Sequence, residues 1–252
     1  MSSSTMASPD VLLGAGLYET VRVSDGVALH GERHLERIIA SAHALGLPAP
    51  DRAAFARAIT AATGTGDVVR VRLNAPDGEP ELNAERRAAL TPEPLRVTVL
   101  GGWYAPGYLL REHKLTSHFH GFHGRRLARA VGYDDALLVA HDGRVGEATN
   151  ANVTHLAGGV LVTPSVDGLL PGVCRAALLD AARELGLAME ARPVALAELV
   201  DADGVLLTSS PRGLSEVTEL DGHALRRIAP DLLAALRERV AAAALAHALA
   251  LP

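Results

Sequence analysis

The spacing of hydrophobic residues changes from that of a strand to that of a helix and back, and this change limits the fold more than any other feature. Residues Leu17 to Val23 are rich in strand formers and follow a glycine-rich entry. Apolar side chains then recur at helical spacing from about His34 to Leu45, and Asp51 is placed to cap a second helix that runs to about Ala62. An alternating strand follows from Val68 to Leu73. We therefore expect a mixed α/β (α+β) fold.

Short apolar runs separated by turns dominate the second half of the chain. Residues 134–140 read as a buried strand, residues 154–163 as a hairpin, and Glu147 lies on a return strand after a glycine turn. Helices are predicted after Gly172 and from Asp231, which is placed to cap the last one. This half is expected to be rich in β-structure.

Two subdomains are predicted from the composition of the connecting segments. Asn74 to Pro94 is rich in Pro, Glu and Arg and is expected to be an exposed excursion, whereas Leu95 to Leu100 resumes as a strand. Gly101 to Gly107 is typical of a linker. It would divide a smaller N-terminal α/β subdomain, residues 1–105, from a larger C-terminal β-rich subdomain, residues 108–252.

Composition excludes several classes of protein. A net charge of −5 and scattered arginines argue against nucleic acid or an anionic membrane as partner. The single cysteine, Cys174, excludes an intramolecular disulfide and a cysteine-based zinc site. Met1 to Asp10 has no apolar core of a secretory signal, and no apolar run approaches the ~20 residues that span a bilayer. We expect a cytoplasmic protein.

Three histidines, His118, His120 and His123, follow one another closely enough to suggest a metal site. Neutral imidazoles are good zinc ligands. However, neither an H-E-x-x-H motif nor a cysteine pair completes a known ligand spacing nearby. We predict no metal site, and the sequence leaves the role of these histidines open.

Lys114 is the only lysine among 24 basic residues. A chain that otherwise uses arginine has kept one side chain whose amine can lose its proton and attack a carbonyl, which a guanidinium cannot do. The functional hypothesis is a Schiff-base lysine. The alternative is a surface lysine that occurs there by chance.

Several arginines and one helix start are candidate anion sites. Arg37 lies among the apolar positions of the first helix, where it is either solvated or turned inward towards an anion. Arg70 and Arg72 share one face of a strand, either as a solvated surface or as a carboxylate clamp. The helix after Gly172 offers unpaired N–H groups to an anion.

The order of short motifs resembles that of the fold-type IV enzymes that use pyridoxal 5′-phosphate (PLP), the class IV aminotransferases. From Gly14 to Gly222 the chain carries Gly-x-Gly-Leu-Tyr-Glu-Thr, His-x-x-Arg, the lysine, Gly-x-Val-x-Glu-Ala-x-x-x-Asn, Thr-Pro and Pro-Gly-x-x-Arg. The family includes branched-chain and D-amino-acid aminotransferases and aminodeoxychorismate lyase. Each motif is weak alone, but their order and spacing are specific.

The resemblance implies roles around the cofactor ring. Lys114 would hold PLP as a Schiff base and move protons once the substrate displaces it. Glu147 would pair with the protonated pyridine nitrogen and keep the ring an electron sink. Asn152 resembles the asparagine that braces the loop after this glutamate.

The resemblance also implies a phosphate site. Arg37 would bind the phosphate, and the backbone N–H groups of Val173 and Cys174 at a helix start would complete the cradle. Ser209 and Ser210 match a second polar turn near the phosphate and the substrate carboxylate. Cys174 departs from the usual threonine, which keeps the backbone N–H but removes a hydroxyl.

The implied substrates are an amino acid and a 2-oxo acid, bound by a homodimer. Tyr18 and Thr20 match positions that line the pocket. Arg70 or Arg72 lies where some members hold a carboxylate, and the sequence does not say which one faces the pocket.

Three activities are compatible with these motifs. A transaminase is the first. An aminodeoxychorismate lyase, which eliminates pyruvate to give 4-aminobenzoate, uses the same cofactor. A third possibility is a protein of this fold that binds a ligand without PLP chemistry, which the unusual Cys174 and His118 would suit. The sequence identifies neither the amino donor nor the L or D stereochemistry.

Overall fold

The computed structural model of the protein describes residues 13–62, 68–75 and 78–252. These residues fold into two compact units. Unit 1 contains the described residues up to Ala89, together with His113–His118 and His247–Pro252, and unit 2 contains Leu90–Glu112 and Phe119–Ala246. The interpretation of Met1 to Asp10 lies outside the described residues.

The secondary structure of the described residues confirms the mixed α/β class. The strands are β1 (Leu17–Ser24), β2 (Val27–Leu29), β3 (Val68–Asn74), β4 (Glu81–Arg87), β5 (Leu95–Tyr104), β6 (Asp135–Ala140), β7 (Val145–Ala148), β8 (Asn152–Ala157), β9 (Val160–Thr163), β10 (Ala188–Ala191), β11 (Gly204–Ser209), β12 (Gly213–Leu220), β13 (His223–Ala224) and β14 (Leu249–Ala250). The helices are α1 (Gly31–Ala44), α2 (Arg52–Ala62), α3 (Phe119–Ala130), α4 (Val173–Glu184), α5 (Leu196–Asp201) and α6 (Pro230–Ala246).

Unit 1 is built on a five-stranded antiparallel sheet in the order β14-β2-β1-β3-β4. The turn between β1 and β2 passes through Asp25 and Gly26, both at positive φ. The N–H of Ala54 donates to Asp51 Oδ1 over 2.6 Å, as expected for an N-cap of α2. The inward faces of α1 and α2 pack on one face of the sheet, where Ile38, Phe55 and Val71 are buried in a common core.

Asn74 to Pro94 was expected to be an exposed excursion, but part of it forms β4, which pairs with β3 along its whole length. The side chains of β4 are mostly exposed, so its sequence lacks an apolar alternation. Backbone hydrogen bonds to a neighbouring strand do not require apolar side chains, which is why the composition concealed this strand.

The predicted linker from Gly101 to Gly107 also begins too early, because β5 continues to Tyr104. The ladder between β5 and β6 shifts register between Gly101 and Tyr104, as a β-bulge does. Gly102 has a φ of 68°, a conformation that glycine adopts without strain. The predicted division at residues 105 to 108 stays a prediction, and β5, just before it, pairs with β6 and β12 of unit 2.

Unit 2 contains a long mixed sheet in the order β10-β9-β8-β11-β12-β5-β6-β7, with β13 beside β12. The pairs β9–β10, β12–β5 and β5–β6 are parallel and the others are antiparallel. Both faces of its central strands are covered. Leu206 packs with Leu178 of α4 on one face, whereas Leu207 packs with Leu199 of α5 on the other.

Of two helix starts predicted in unit 2, one is confirmed and the other lies one residue too late. The predicted helix after Gly172 is confirmed as α4, with Gly172 as its N-cap. Asp231 is not the cap of the last helix, because α6 begins one residue earlier at Pro230. Proline is favoured at the first helical position, and Asp231 in the first turn complements the helix dipole instead.

Candidate active site

Lys114 is anchored against β1 in unit 1. The N–H of Tyr18 donates to the Lys114 carbonyl oxygen over 2.8 Å, and Leu115 forms an antiparallel bridge with Leu17. The lysine Nζ lies 4.6 Å from the centroid of the Tyr18 ring, a distance at which a cation is attracted by an aromatic face. The only lysine of the chain is therefore held at a defined position rather than projecting freely from the surface.

The same ring of Tyr18 is contacted by Arg70. In the pairing of β1 with β3, Tyr18 lies opposite Arg72 and Thr20 opposite Arg70, so these four side chains share one face of the sheet. The Arg70 guanidinium carbon lies 4.9 Å from the ring centroid, and its Nε is buried with no hydrogen-bond partner among the described residues. Burial lowers the pKa of Arg70 from its ordinary value.

The carboxylate of Glu85 on β4 lies near the guanidinium groups of this sheet face. It lies 3.7 Å from Arg70, 3.9 Å from Arg72 and 3.5 Å from Arg87. Three guanidinium groups therefore lie within 4 Å of this one carboxylate. Arg70 is the member that also lies beside the ring contacted by Lys114.

Arg37 takes part in a buried ionic cluster on the other face of β1. Its Nε and Nη2 each donate to a different carboxylate oxygen of Glu19 over 2.7 Å, a bidentate pair. His34 Nδ1 lies 2.7 Å from the second of these oxygens. Burial alone would raise the pKa of Glu19, but Arg37 and His34 reverse this effect and hold it below its ordinary value.

Glu19 and His34 are partners in the Arg37 cluster that the sequence interpretation missed. Glu19 occupies an inward position in the alternation of β1, between the buried Leu17 and Val21. A carboxylate at an apolar position is rarely buried without a partner. That break in the alternation was a usable signal, and a buried cation such as Arg37 was its expected partner.

Glu147 forms an ion pair that the sequence did not predict. Its Oε1 accepts from Arg111 Nη2 over 2.8 Å, with both side chains largely buried. The Arg111 guanidinium in turn lies 5.4 Å from the centroid of the Tyr104 ring. Arg111 precedes the lysine closely in sequence, but its pairing with β7 depends on the folded path of the chain.

Asn152 joins Glu147 to the loop before α4. Its Nδ2 donates to the Leu170 carbonyl oxygen over 2.9 Å and, at 3.4 Å, to Glu147 Oε2. A Cβ at Gly172 would collide with Asn152 Oδ1, so a larger residue at this N-cap would have to displace the Asn152 side chain. The structure brings Asn152, Glu147 and the start of α4 into one neighbourhood.

The N-terminus of α4 is buried and has no capping side chain. Gly172 supplies none, and both Val173 and Cys174 are buried. The backbone N–H of Ser209, at the end of β11, donates to the Cys174 sulfur, whereas burial raises the pKa of the thiol to about 12. Since the first N–H groups of a helix lack intrahelical partners, this buried end is suited to an anion.

The predicted site residues belong to both units. Those of unit 1 are Tyr18, Thr20, Arg37, Arg70, Arg72 and Lys114. Those of unit 2 are Glu147, Asn152, Val173, Cys174, Ser209 and Ser210. A groove of about 530 Å³ in unit 2 is lined by none of them.

The three histidines take separate positions. His118 meets the Tyr18 ring edge-on at 6.3 Å between centroids, whereas His123 stacks on Trp103 at 5.9 Å and on Phe119 at 5.7 Å. Burial, with a contribution from Arg111, lowers the pKa of His120 to about 4. Within the described ranges, no cluster of three or more His, Cys, Asp or Glu side chains could hold a metal ion.

Among the helices of the described ranges, none has the length and apolarity to cross a membrane.

Comparison with known proteins gives consistent matches along the chain. A family model described as "Amino-transferase class IV" matches residues 16–220. The bifunctional aminodeoxychorismate lyase / D-amino acid transaminase of Mycobacterium tuberculosis is 30% identical over 244 residues, which cover 85% of this chain and 84% of that protein. A fold IV-transaminase from Curtobacterium pusillum is 30% identical with a TM-score of 0.82, covering 92% of this chain and 88% of that one. The PLP-bound form of a hypothetical aminotransferase from M. tuberculosis is 26% identical with a TM-score of 0.84, covering 98% and 96%.

Proposed function

The chain belongs to the class IV aminotransferase family, and we propose that it is a PLP-dependent transaminase that moves an amino group between an amino acid and a 2-oxo acid. One observation carries the proposal. The only lysine of the chain is held beside Tyr18, and the guanidinium of Arg70 lies against the same ring. An amine nucleophile next to a carboxylate-binding cation is what a reaction on amino and oxo acids requires.

The residues present fit PLP. The cofactor has an aldehyde, a phosphate and a ring nitrogen, and the chain offers a lysine amine, a buried helix start without a cap, and the carboxylate of Glu147. When bound, PLP supplies an electron sink for breaking a bond at the substrate α-carbon. Arg37 and the N–H groups of Val173 and Cys174 would hold the phosphate, and Ser209 and Ser210 would be further ligands for it. Glu147, whose carboxylate is oriented by Arg111 and Asn152, would hold the proton at the ring nitrogen.

Lys114 and its neighbours handle the substrate. Lys114 would bind the cofactor aldehyde through its amine, and the same amine would move a proton to and from the substrate α-carbon. Tyr18 positions the Lys114 amine, which lies 4.6 Å from its ring centroid, and Thr20 lines the pocket. Arg70 binds the substrate carboxylate in preference to Arg72, because Arg70 alone of the two lies against the Tyr18 ring. The Ser209-Ser210 turn is the alternative carboxylate site.

Replacement of Lys114 tests the proposal. Purified protein mixed with PLP is expected to show the absorbance band of a lysine-bound cofactor, and an amino donor is expected to remove that band. Lys114→Arg keeps the charge but cannot form the bond, so both the band and transamination are expected to disappear. A wild-type protein without the band when PLP is supplied would contradict the proposal. An activity that does not depend on PLP and stays intact in Lys114→Arg would favour a ligand-binding protein of the same fold.

A second candidate activity is that of an aminodeoxychorismate lyase, which uses the same residues for an elimination. The relative from M. tuberculosis carries both activities in its name, which favours keeping this candidate. Incubation with aminodeoxychorismate, followed by measurement of pyruvate and 4-aminobenzoate, separates it from transfer to 2-oxoglutarate from an amino donor.

The assembly and location of the protein are also proposals. A homodimer is proposed from the family resemblance, and a cytoplasmic location from the composition. The proposed partners are a small amino acid and a 2-oxo acid, without nucleic acid or membrane.

A further inference from the structure

Arg175 is a buried arginine with neutral partners only. It lies in the first turn of α4, where its Nε donates to Thr163 Oγ1 over 2.9 Å and its Nη2 to the Pro164 carbonyl oxygen over 3.1 Å. The Thr163 hydroxyl in turn donates to the Val153 carbonyl oxygen over 3.0 Å, so the hydrogen bonds run from Arg175 through Thr163 to Val153. Among the described residues, no carboxylate forms an ion pair with Arg175, and its pKa is lowered through burial alone.

This arrangement is electrostatically unfavourable as it stands. Burial of an unpaired cation is costly, so buried charges normally have a counter-ion. The first turn of a helix also carries the positive end of the helix dipole, which disfavours a cation and favours an anion. A neutral hydrogen-bond donor at this position could bind Thr163 and Pro164 without the cost of burying a cation and without repulsion by the helix dipole. An anion bound near the start of α4 would compensate the buried charge of Arg175.

We propose that Arg175 is a positioning residue for the phosphate of the cofactor. Its fork binds the end of β9 and so holds the guanidinium in place near the first turn of α4. Its positive charge adds to that of the helix end and favours a doubly charged phosphate there, without a requirement for direct contact. This inference rests on the proposed function, which supplies the phosphate.

Two ligands that differ only in the phosphate separate this role from a structural one. The dissociation constants of PLP and of pyridoxal, which lacks the phosphate, are measured for the apoprotein by absorbance titration. Their ratio reports the phosphate site, because a general loss of pocket structure weakens both ligands. Arg175→Met removes the charge at similar volume and is expected to reduce the preference for PLP about tenfold.

Two matched variants keep the charge. Arg175→Lys retains the cation without the fork and is expected to restore most of the preference for PLP. Thr163→Val removes one acceptor of the fork and is expected to lower stability while leaving the ratio close to that of the wild type. If Arg175→Met does not fold, Arg175→Gln replaces it, since its amide can still donate to Thr163.

The outcomes are distinguishable. An unchanged ratio in the neutral variant overturns the inference while leaving the proposed function intact. A ratio that falls equally in Arg175→Met, Arg175→Lys and Thr163→Val also overturns it, because the hydrogen bonds alone would then account for the effect. A wild-type protein that binds pyridoxal as tightly as PLP contradicts the proposed phosphate site itself.

Discussion

Glu19 lies between two residues that the sequence assigned to the substrate pocket, yet it faces the opposite side of β1. Tyr18 and Thr20 point to the sheet face that carries Arg70, whereas Glu19 points to α1 and binds Arg37. The alternation of a strand separates neighbours in sequence and brings together residues that are far apart. Motif matching found the tyrosine and the threonine, but it did not show that the glutamate holds the predicted phosphate ligand.

Glu19→Gln is expected to destabilise the protein by about 3 kcal/mol, because it leaves the buried guanidinium of Arg37 without its anion. Urea unfolding, followed by circular dichroism at neutral pH, measures the change. Glu36→Gln on the exposed side of α1 is the matched control and is expected to change the unfolding free energy by less than about 0.5 kcal/mol. Equal effects of the two substitutions would contradict the assigned importance of the cluster.

At the scale of elements, the periodic segments were predictable and the partner-dependent ones were not. The sequence located α1, α2, β3 and the hairpin of β8 and β9, because each carries its own apolar pattern. It missed β4, because this strand has polar side chains without an apolar alternation and is held by backbone hydrogen bonds to β3. It also ended β5 before the bulge that carries the strand on to Tyr104.

An inward-facing histidine on β8 gives a prediction for this element. His155 is buried opposite Val205 of β11, and neither ring nitrogen has a hydrogen-bond partner in the described part of the chain. His155→Leu is expected to raise the unfolding free energy by about 1 kcal/mol, because an unsatisfied polar group is replaced by an apolar one. Urea unfolding at neutral pH measures this gain.

The pH dependence provides the second readout for His155. Burial lowers the folded-state pKa of His155 below the unfolded value of about 6.5. The folded protein therefore keeps His155 neutral at pH values where the unfolded chain binds a proton. As the pH falls below the unfolded pKa, the free energy of unfolding decreases. Unfolding at about pH 7 and pH 5 should show a smaller acid-induced loss in His155→Leu than in the wild type. The exposed His43→Leu is the control, and a loss as large as that of the wild type in His155→Leu would refute the assignment.

At the scale of the whole molecule, unit 1 is assembled from three separate parts of the chain. The segment with Lys114 and the final residues both join the N-terminal sheet, the latter through β14, which pairs with β2. The family match and the similarity to a solved fold IV-transaminase confirm the family and the fold class that the order of motifs indicated. The return of two later segments to the first sheet had no local sequence signal.

Leu249 tests the contribution of the last segment. Its side chain is fully buried in the core of unit 1 and fills the space beside Gly31, where a Cβ would collide with it. Leu249→Ala is expected to cost about 3 kcal/mol of unfolding free energy, since it leaves a cavity. Leu245→Ala, at a largely exposed position on α6, is the matched control with little expected change. A thermal or urea unfolding series measures both, and equal stabilities would show that β14 is dispensable.

The sequence by itself determined the identity of the nucleophile candidate and the family. One lysine in a chain of arginines, and an ordered set of short motifs, are properties of the chain that do not depend on its fold. Only the tertiary structure decided that Arg70 shares the Tyr18 ring with Lys114, that Glu19 binds Arg37, and that Arg111 pairs with Glu147. Such pairings join residues on different elements, and the strand register and helix packing that bring them together are set by the whole core rather than by local sequence.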